Sequence, residues 1–178
     1  MKPQLNIRFA NISDLSFIVE IYNQAIKAND ATGDLTEFTI EQRLDWFNKF
    51  DNETYPIYIV EIANKVIGYC TISPYRPGRE AMSSVAEISY YIDYSYHNQG
   101  IGSSILKYAI SDCNRIGKEN LLAILLDINT KSVGILEKFN FKLWGHFPNI
   151  IVTKIGKCGH LIYGLRIDKP LPKKITRR

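Results

Sequence analysis

Long apolar runs, abundant cysteine and a strong excess of one charge are all missing from this sequence of 178 residues. No stretch approaches the roughly 18 consecutive apolar residues of a membrane helix, so no span and no membrane partner are expected. Three cysteines, Cys70, Cys113 and Cys158, form an odd set without metal-ligand spacing. They read as reduced thiols, and no metal site is expected. Met1-Lys2-Pro3-Gln4-Leu5-Asn6 lacks the apolar stretch of a signal peptide, which points to the cytoplasm. The formal charge of +4 belongs to the end of the chain: Lys169, Lys173, Lys174, Arg177 and Arg178 leave 17 basic against 18 acidic residues in 1–168. Nucleic acid is therefore not an expected partner, and 169–178 reads as a frayed basic tail interrupted by Pro170 and Pro172. Neither GxxxxGK[ST] nor GxGxxG occurs, which excludes a Walker A loop and a dinucleotide fingerprint.

What is present suits a single domain over 1–168, with 46% apolar residues, enough to build a core. Ile7 to Ala10 reads as a first strand. Leu15, Ile18, Val19, Tyr22, Ala25 and Ile26 recur at helical spacing, with Ser13 as the expected N-cap. A polar loop follows, and Thr39 to Gln42 has capping-box spacing before a second helix. Pro56–Ile62 and Val66–Ser73 form a hairpin around Asn64-Lys65, 74–84 is a loop, and Val85–Asp93 is a third strong strand. A glycine loop then opens a helix that Gly117 ends. Leu121 to Ile128 reads as a buried strand, 130–139 as a short helix, and 143–153 and 160–167 as two further strands. The order β-α-α-β-β-β-α-β-α-β-β predicts an α/β fold with one mixed sheet.

The loop His97-Asn98-Gln99-Gly100-Ile101-Gly102-Ser103 joins a strand to a helix. Glycines let backbone N–H groups approach a ligand, and a helix N-terminus favours an anion such as a pyrophosphate. On its own the segment serves equally as an ordinary turn. The pattern His97-x-x-Gly100-x-Gly102 resembles the acyl-CoA pyrophosphate loop of the Gcn5-related N-acetyltransferase (GNAT) superfamily, with His97 where Arg or Gln is usual. Further segments resemble its phosphinothricin/methionine sulfoximine N-acetyltransferase branch. They are Ile21-Tyr22-Asn23, Arg43-x-x-Trp46-Phe47, Tyr55-Pro56, Val66-Ile67-Gly68-Tyr69, Glu87-Ile88-Ser89-Tyr90-Tyr91-Ile92, Asn129-x-x-Ser132, Leu136 to Phe141 and Trp144-Gly145-His146-Phe147-Pro148.

The resemblance implies a twisted mixed sheet flanked by about four helices, with acetyl-CoA as co-substrate and the amine of a small amino acid or analogue as acceptor. It assigns cofactor contacts to His97, Asn98, Gln99, Gly100, Ile101, Gly102 and Ser103, to the backbone of Tyr90, Tyr91 and Ile92, and to Asn129 and Ser132. For Asn129 and Ser132 a helix cap and a surface serine fit as well. It makes Glu87 the general base; strand alternation alone leaves Glu87 equally a half-exposed glutamate. Tyr75, Arg76 and Arg79 in the 74–84 loop, with Asp34 and Thr36 between the first helices, are the implied substrate contacts, since Arg pairs well with a carboxylate. The resemblance also implies a homodimer meeting through the apolar segment 144–152. Two departures stand out: Leu136 occupies a position where many relatives carry Tyr or His, and Asn140 replaces a usual glycine. A cofactor-binding module without catalysis, and transfer to a protein or polyamine amine, are the competing readings.

Overall fold

Alternating strands and amphipathic helices build a seven-stranded mixed sheet in the computed structural model, which describes residues 4–167. The 169–178 tail lies outside the described residues. In chain order the elements are β1 (Leu5–Phe9), α1 (Leu15–Ala28), α2 (Ile40–Phe47), β2 (Ile57–Ile62), β3 (Lys65–Pro74), β4 (Val85–Ile92), α3 (Ile101–Asp112), β5 (Asn120–Leu126), α4 (Thr130–Lys138), β6 (Lys142–Thr153) and β7 (Gly156–Arg166). The sheet order is β1-β2-β3-β4-β5-β7-β6, antiparallel throughout except at β4–β5.

Two apolar clusters cover the two faces. Ile88, Ile105, Leu106, Leu121, Leu136 and Phe141 belong to the larger one, beneath α3 and α4. Ile18, Tyr22, Ile26, Ile59 and Tyr69 belong to the smaller one, beneath α1. No helix among the described residues is long and apolar enough to cross a membrane.

Local chemistry explains the boundaries. Thr39 and Gln42 form the expected capping box. Ser13 does not cap α1: Asn11 accepts the Ser13 N–H and pairs with Asp14 in a capping box one turn earlier, opening a short 3-10 turn. The β2–β3 turn is Ala63-Asn64, both left-handed (φ 49° and 63°), rather than Asn64-Lys65. Asn140 adopts φ 64° after α4, a conformation its short polar side chain tolerates. β7 begins at Gly156, so β6 and β7 form one long hairpin at the sheet edge.

The β4–β5 junction positions the site. Parallel pairing covers only Val85–Glu87 against Asn120–Leu122; from Ile88 onward the strands have no mutual partners. The Asp93 N–H bonds the Ile67 carbonyl at 2.9 Å, and the Ser84 carbonyl accepts from Glu119 and Asn120 at 2.9 and 3.2 Å. Backbone groups alternate sides along a strand, so odd-numbered β4 residues bond to β3. Those of Tyr90 and Ile92, with the Ile88 carbonyl, point into the opening.

Candidate active site

A cavity of about 440 Å³ occupies this opening. Its walls are the unpaired half of β4, Ala123–Leu125 of β5, the loop before α3, the start of α4 and the end of α1. Tyr90, Tyr91, Ile92, His97, Asn98, Gly100, Ile101, Gly102, Ser103, Asn129 and Ser132 all line it. Gln99 does not: its side chain turns outward to the Ser95 carbonyl at 3.5 Å. The Tyr91 backbone pairs with Tyr69 of β3, so among the three cofactor-strand residues only Tyr90 and Ile92 offer backbone groups to the cleft.

Two left-handed residues, Asn98 (φ 61°) and Gly100 (φ 81°), turn the chain into α3. No side chain caps that helix, and the N–H groups of Ile101, Gly102 and Ser103 have no acceptor among the described residues. Free amides at a helix N-terminus suit a phosphate. A Cβ at Gly102 would stand 3.4 Å from Ile135 Cδ1 and 3.6 Å from the Tyr90 ring, so its absence keeps this part of the wall open. His97 Nε2 sits 2.9 Å from the Ile92 carbonyl oxygen, with its ring stacked on Tyr94. Asn129 caps α4, accepting from the Ser132 N–H at 3.1 Å. The cleft thus combines an anion cradle, free strand edges and a length of apolar wall, which fits a pyrophosphate carrying a pantetheine arm.

Glu87 stands just before the strands part, on the β4 face shared with Ser89 and Tyr91. It is half-buried and makes no hydrogen bond or ion pair among the described residues. Burial raises its pKa above the usual carboxylate value. Next to it on this face, Tyr91 stacks on Tyr69 (5.4 Å) and meets the edge of Tyr22 (4.9 Å). Burial and the bond to Asp34 push the Tyr22 hydroxyl up to about 12, and Thr32 also bonds it. Arg43 packs over Tyr22, Phe38 and Trp46, at 4.0 Å from the last, so the Arg43-x-x-Trp46 motif holds α2 against α1.

The expected substrate contacts are less gathered. The side chains of Arg76, Arg79 and Thr36 are exposed and make no hydrogen bond among the described residues, and Tyr75 is half-buried just after β3. None of these, nor Asp34, lines the cavity. Sequence reasoning missed Asp30 and Ala31 after α1, Tyr94, Tyr96 and Lys131, which do. The periodicity of α1 announced a helix but not that its C-terminal end would reach the cleft. Among the described residues no His, Cys, Asp and Glu group is arranged to hold a metal.

A mixed sheet opened between parallel neighbours, with an uncapped glycine turn at the mouth, defines an acyl-CoA-dependent transferase. Residues 17–141 match the Acetyltransferase (GNAT) family, and the chain belongs to it. The chain is 33% identical over 147 residues to YwnH, a phosphinothricin acetyltransferase candidate of Bacillus subtilis (strain 168), covering 82% of this chain and 89% of that protein. It is 27% identical over 146 residues to the L-methionine sulfoximine/L-methionine sulfone acetyltransferase of Pseudomonas paraeruginosa, covering 82% and 84%. The yncA structure from Salmonella typhimurium, solved with its cofactor acetyl-CoA, superposes with a TM-score of 0.86 at 25% identity, covering 94% of this chain and 96% of that one. The protein is an acetyl-CoA-dependent N-acetyltransferase.

Proposed function

We propose that this chain acetylates the free amine of a small amino acid or analogue, of the methionine sulfoximine or phosphinothricin kind, with Glu87 as general base. The observation that carries this reading is Glu87 itself: a half-buried carboxylate without an ion-pair partner among the described residues, its pKa raised by burial, at the point where the sheet opens. An α-amine has a pKa of about 7.7–8.0, so a base helps it to attack near neutral pH. The acyl donor supplies an activated thioester. The amides of Ile101, Gly102 and Ser103 would hold its phosphates, and the edges of Tyr90 and Ile92 its arm. The Tyr90 N–H facing the cleft would polarise the acetyl carbonyl. Arg76 and Arg79 remain the proposed partners of the acceptor carboxylate.

The proposed assembly is a cytoplasmic homodimer. Its support is β6, an edge strand that presents Trp144, Phe147, Ile150 and Val152 at 48, 47, 60 and 65% exposure. A monomer mass at micromolar concentration would contradict it.

The test is a CoA-release assay over amino acids, methionine sulfoximine, phosphinothricin, polyamines and decarboxylated amines. Turnover is expected on the amino acids and analogues. Glu87→Gln is expected to lower the rate about 10²–10⁴-fold while acetyl-CoA still raises Tm. Preference for polyamines would replace this acceptor assignment, and absence of turnover with intact acetyl-CoA binding would favour the non-catalytic module that Leu136 suggests.

A further inference from the structure

Among the described residues, one permanently positive side chain lines the cofactor cavity, and it stands where a helix disfavours it. Lys131 occupies the first turn of α4, which holds no acidic residue. Unbonded N–H groups make a helix N-terminus unfavourable for a cation and favourable for an anion. The Lys131 side chain is exposed and makes no hydrogen bond or ion pair among the described residues. The carboxylate on the cavity wall, Asp30, instead accepts from the Tyr94 hydroxyl at 3.2 Å. Nothing local therefore offsets the cost of placing this charge here.

The packing of α4 aims Lys131 at the phosphate loop. Asn129 fixes the start of the helix by accepting the Ser132 N–H at 3.1 Å. Lys131 and Ile135, four residues apart, share one helix face and lie about 6 Å apart along its axis. Ile135 meets the start of α3: its Cδ1 lies 3.4 Å from where a Gly102 Cβ would stand. Lys131 thus stands one turn from the unbonded amides of Ile101, Gly102 and Ser103. It lies toward the cavity mouth, since Lys131 is exposed and Leu136, further along α4, is 1% exposed.

Acetyl-CoA brings two kinds of phosphate to this mouth. Its pyrophosphate suits the neutral amide donors of α3. Its ribose 3′-phosphate is a monoester carrying about −1.5 to −2 charges at pH 7, and calls for a cation. We infer that Lys131 binds the 3′-phosphate of the cofactor and so selects CoA thioesters over their 3′-dephospho forms. An ammonium on a flexible stem is a compact point charge able to follow a phosphate at the solvent edge. This assignment concerns the acyl donor and does not depend on the identity of the acceptor.

The test is calorimetric titration of acetyl-CoA and 3′-dephospho-acetyl-CoA into wild type, Lys131→Met and Lys107→Met. Lys107 carries the same charge on α3 but does not line the cavity. Wild type should prefer acetyl-CoA about tenfold, the value of one charge-assisted hydrogen bond. Lys131→Met should lose that preference to within about twofold, by weakening acetyl-CoA alone. Lys107→Met should keep it. Added salt should narrow the preference of wild type and leave the variant Lys131→Met unchanged. Tm of free Lys131→Met should not fall, because no partner in the free protein is lost. Equal weakening of both ligands would assign Lys131 to the pyrophosphate, and unchanged affinity for both would leave it a solvated charge. Equal loss of preference in Lys107→Met would make the effect one of general charge. Each of these three results, or a lower Tm with the preference intact, would overturn the assignment.

Discussion

The imidazole of His97 ties the first residue of the phosphate loop to the last cleft-facing residue of β4, its Nε2 lying 2.9 Å from the Ile92 carbonyl oxygen. The ring is braced on the other side by Tyr94, at 4.3 Å between centroids. The two walls of the cofactor cleft are thereby joined by a side chain rather than by backbone pairing. His97→Ala should loosen the loop and lower acetyl-CoA affinity about 2–10-fold, the value of one net hydrogen bond, without changing turnover at saturation. Calorimetric titration with acetyl-CoA checks the first expectation, and initial rates check the second.

Gly100 and Gly102 serve the loop for different reasons. Gly100 needs its left-handed φ of 81° but has open space around it. Gly100→Ala should therefore destabilise the free protein by about 1–2 kcal/mol. Gly102 is conformationally ordinary, but its missing side chain faces Ile135 and Tyr90 at 3.4 and 3.6 Å. Gly102→Val should leave Tm of the free protein nearly unchanged and abolish the rise in Tm caused by acetyl-CoA. Thermal scans of each variant with and without acetyl-CoA separate the two effects, and loss of Tm in both free proteins would refute the distinction.

Much of this was legible in the residues because the signals are local. The Thr39/Gln42 box, the β4 alternation that set Glu87 apart from Ala86 and Ile88, and the glycine turn all act within a few residues. Ser13 was a misleading cap because Asn11 offers an equally good oxygen one turn earlier, joined to a reciprocal acid at Asp14. Gln99 follows the left-handed Asn98, and its side chain leaves the cavity for the Ser95 carbonyl, an orientation that motif spacing does not encode. The opening of β4 from β5 had no signature in either strand, since both keep apolar strand patterns after pairing stops. The place of Lys131 on the cavity wall likewise depends on the contact of α4 with α3, about which its own neighbours in sequence say nothing.

Glu87 links activity to stability through pH. Burial raises its pKa in the folded protein, so the folded state holds the proton more tightly than the unfolded chain. Stability is then lost as pH rises from the ordinary glutamate value, about 4.3, through the raised folded value. Glu87→Gln removes this penalty. The variant should be more stable than wild type at pH 7 and gain nothing at pH 3, even as its rate falls. Urea titrations at both pH values test the pattern, and a stability loss at pH 7 would mean that Glu87 is held by favourable partners.

The opposite sign applies at the far end of the sheet, where Arg8 bridges Asp14 at 2.7 Å and Glu61 at 2.6 Å. Burial alone would raise Asp14, but the Arg8 hydrogen bonds and the Asn11 N–H override it and leave its pKa below the usual range. The Arg8 hydrogen bond likewise lowers Glu61. Both carboxylates therefore contribute stability that is complete above their ordinary values of about 3.9 and 4.3. That contribution fades as pH falls through the lowered folded values. Arg8→Met would strand two acids, one of them Asp14 with a side chain only 4% exposed. The expected cost at pH 7 is about 2–4 kcal/mol, toward the lower part of the range for broken buried pairs because the Arg8 side chain is itself 31% exposed. At pH 2, where the acids take up protons in the variant, the gap to wild type should narrow. Denaturant midpoints of both proteins across this range measure it, and a gap that stays constant would show that Arg8 acts by the packing of its aliphatic stem and not by charge.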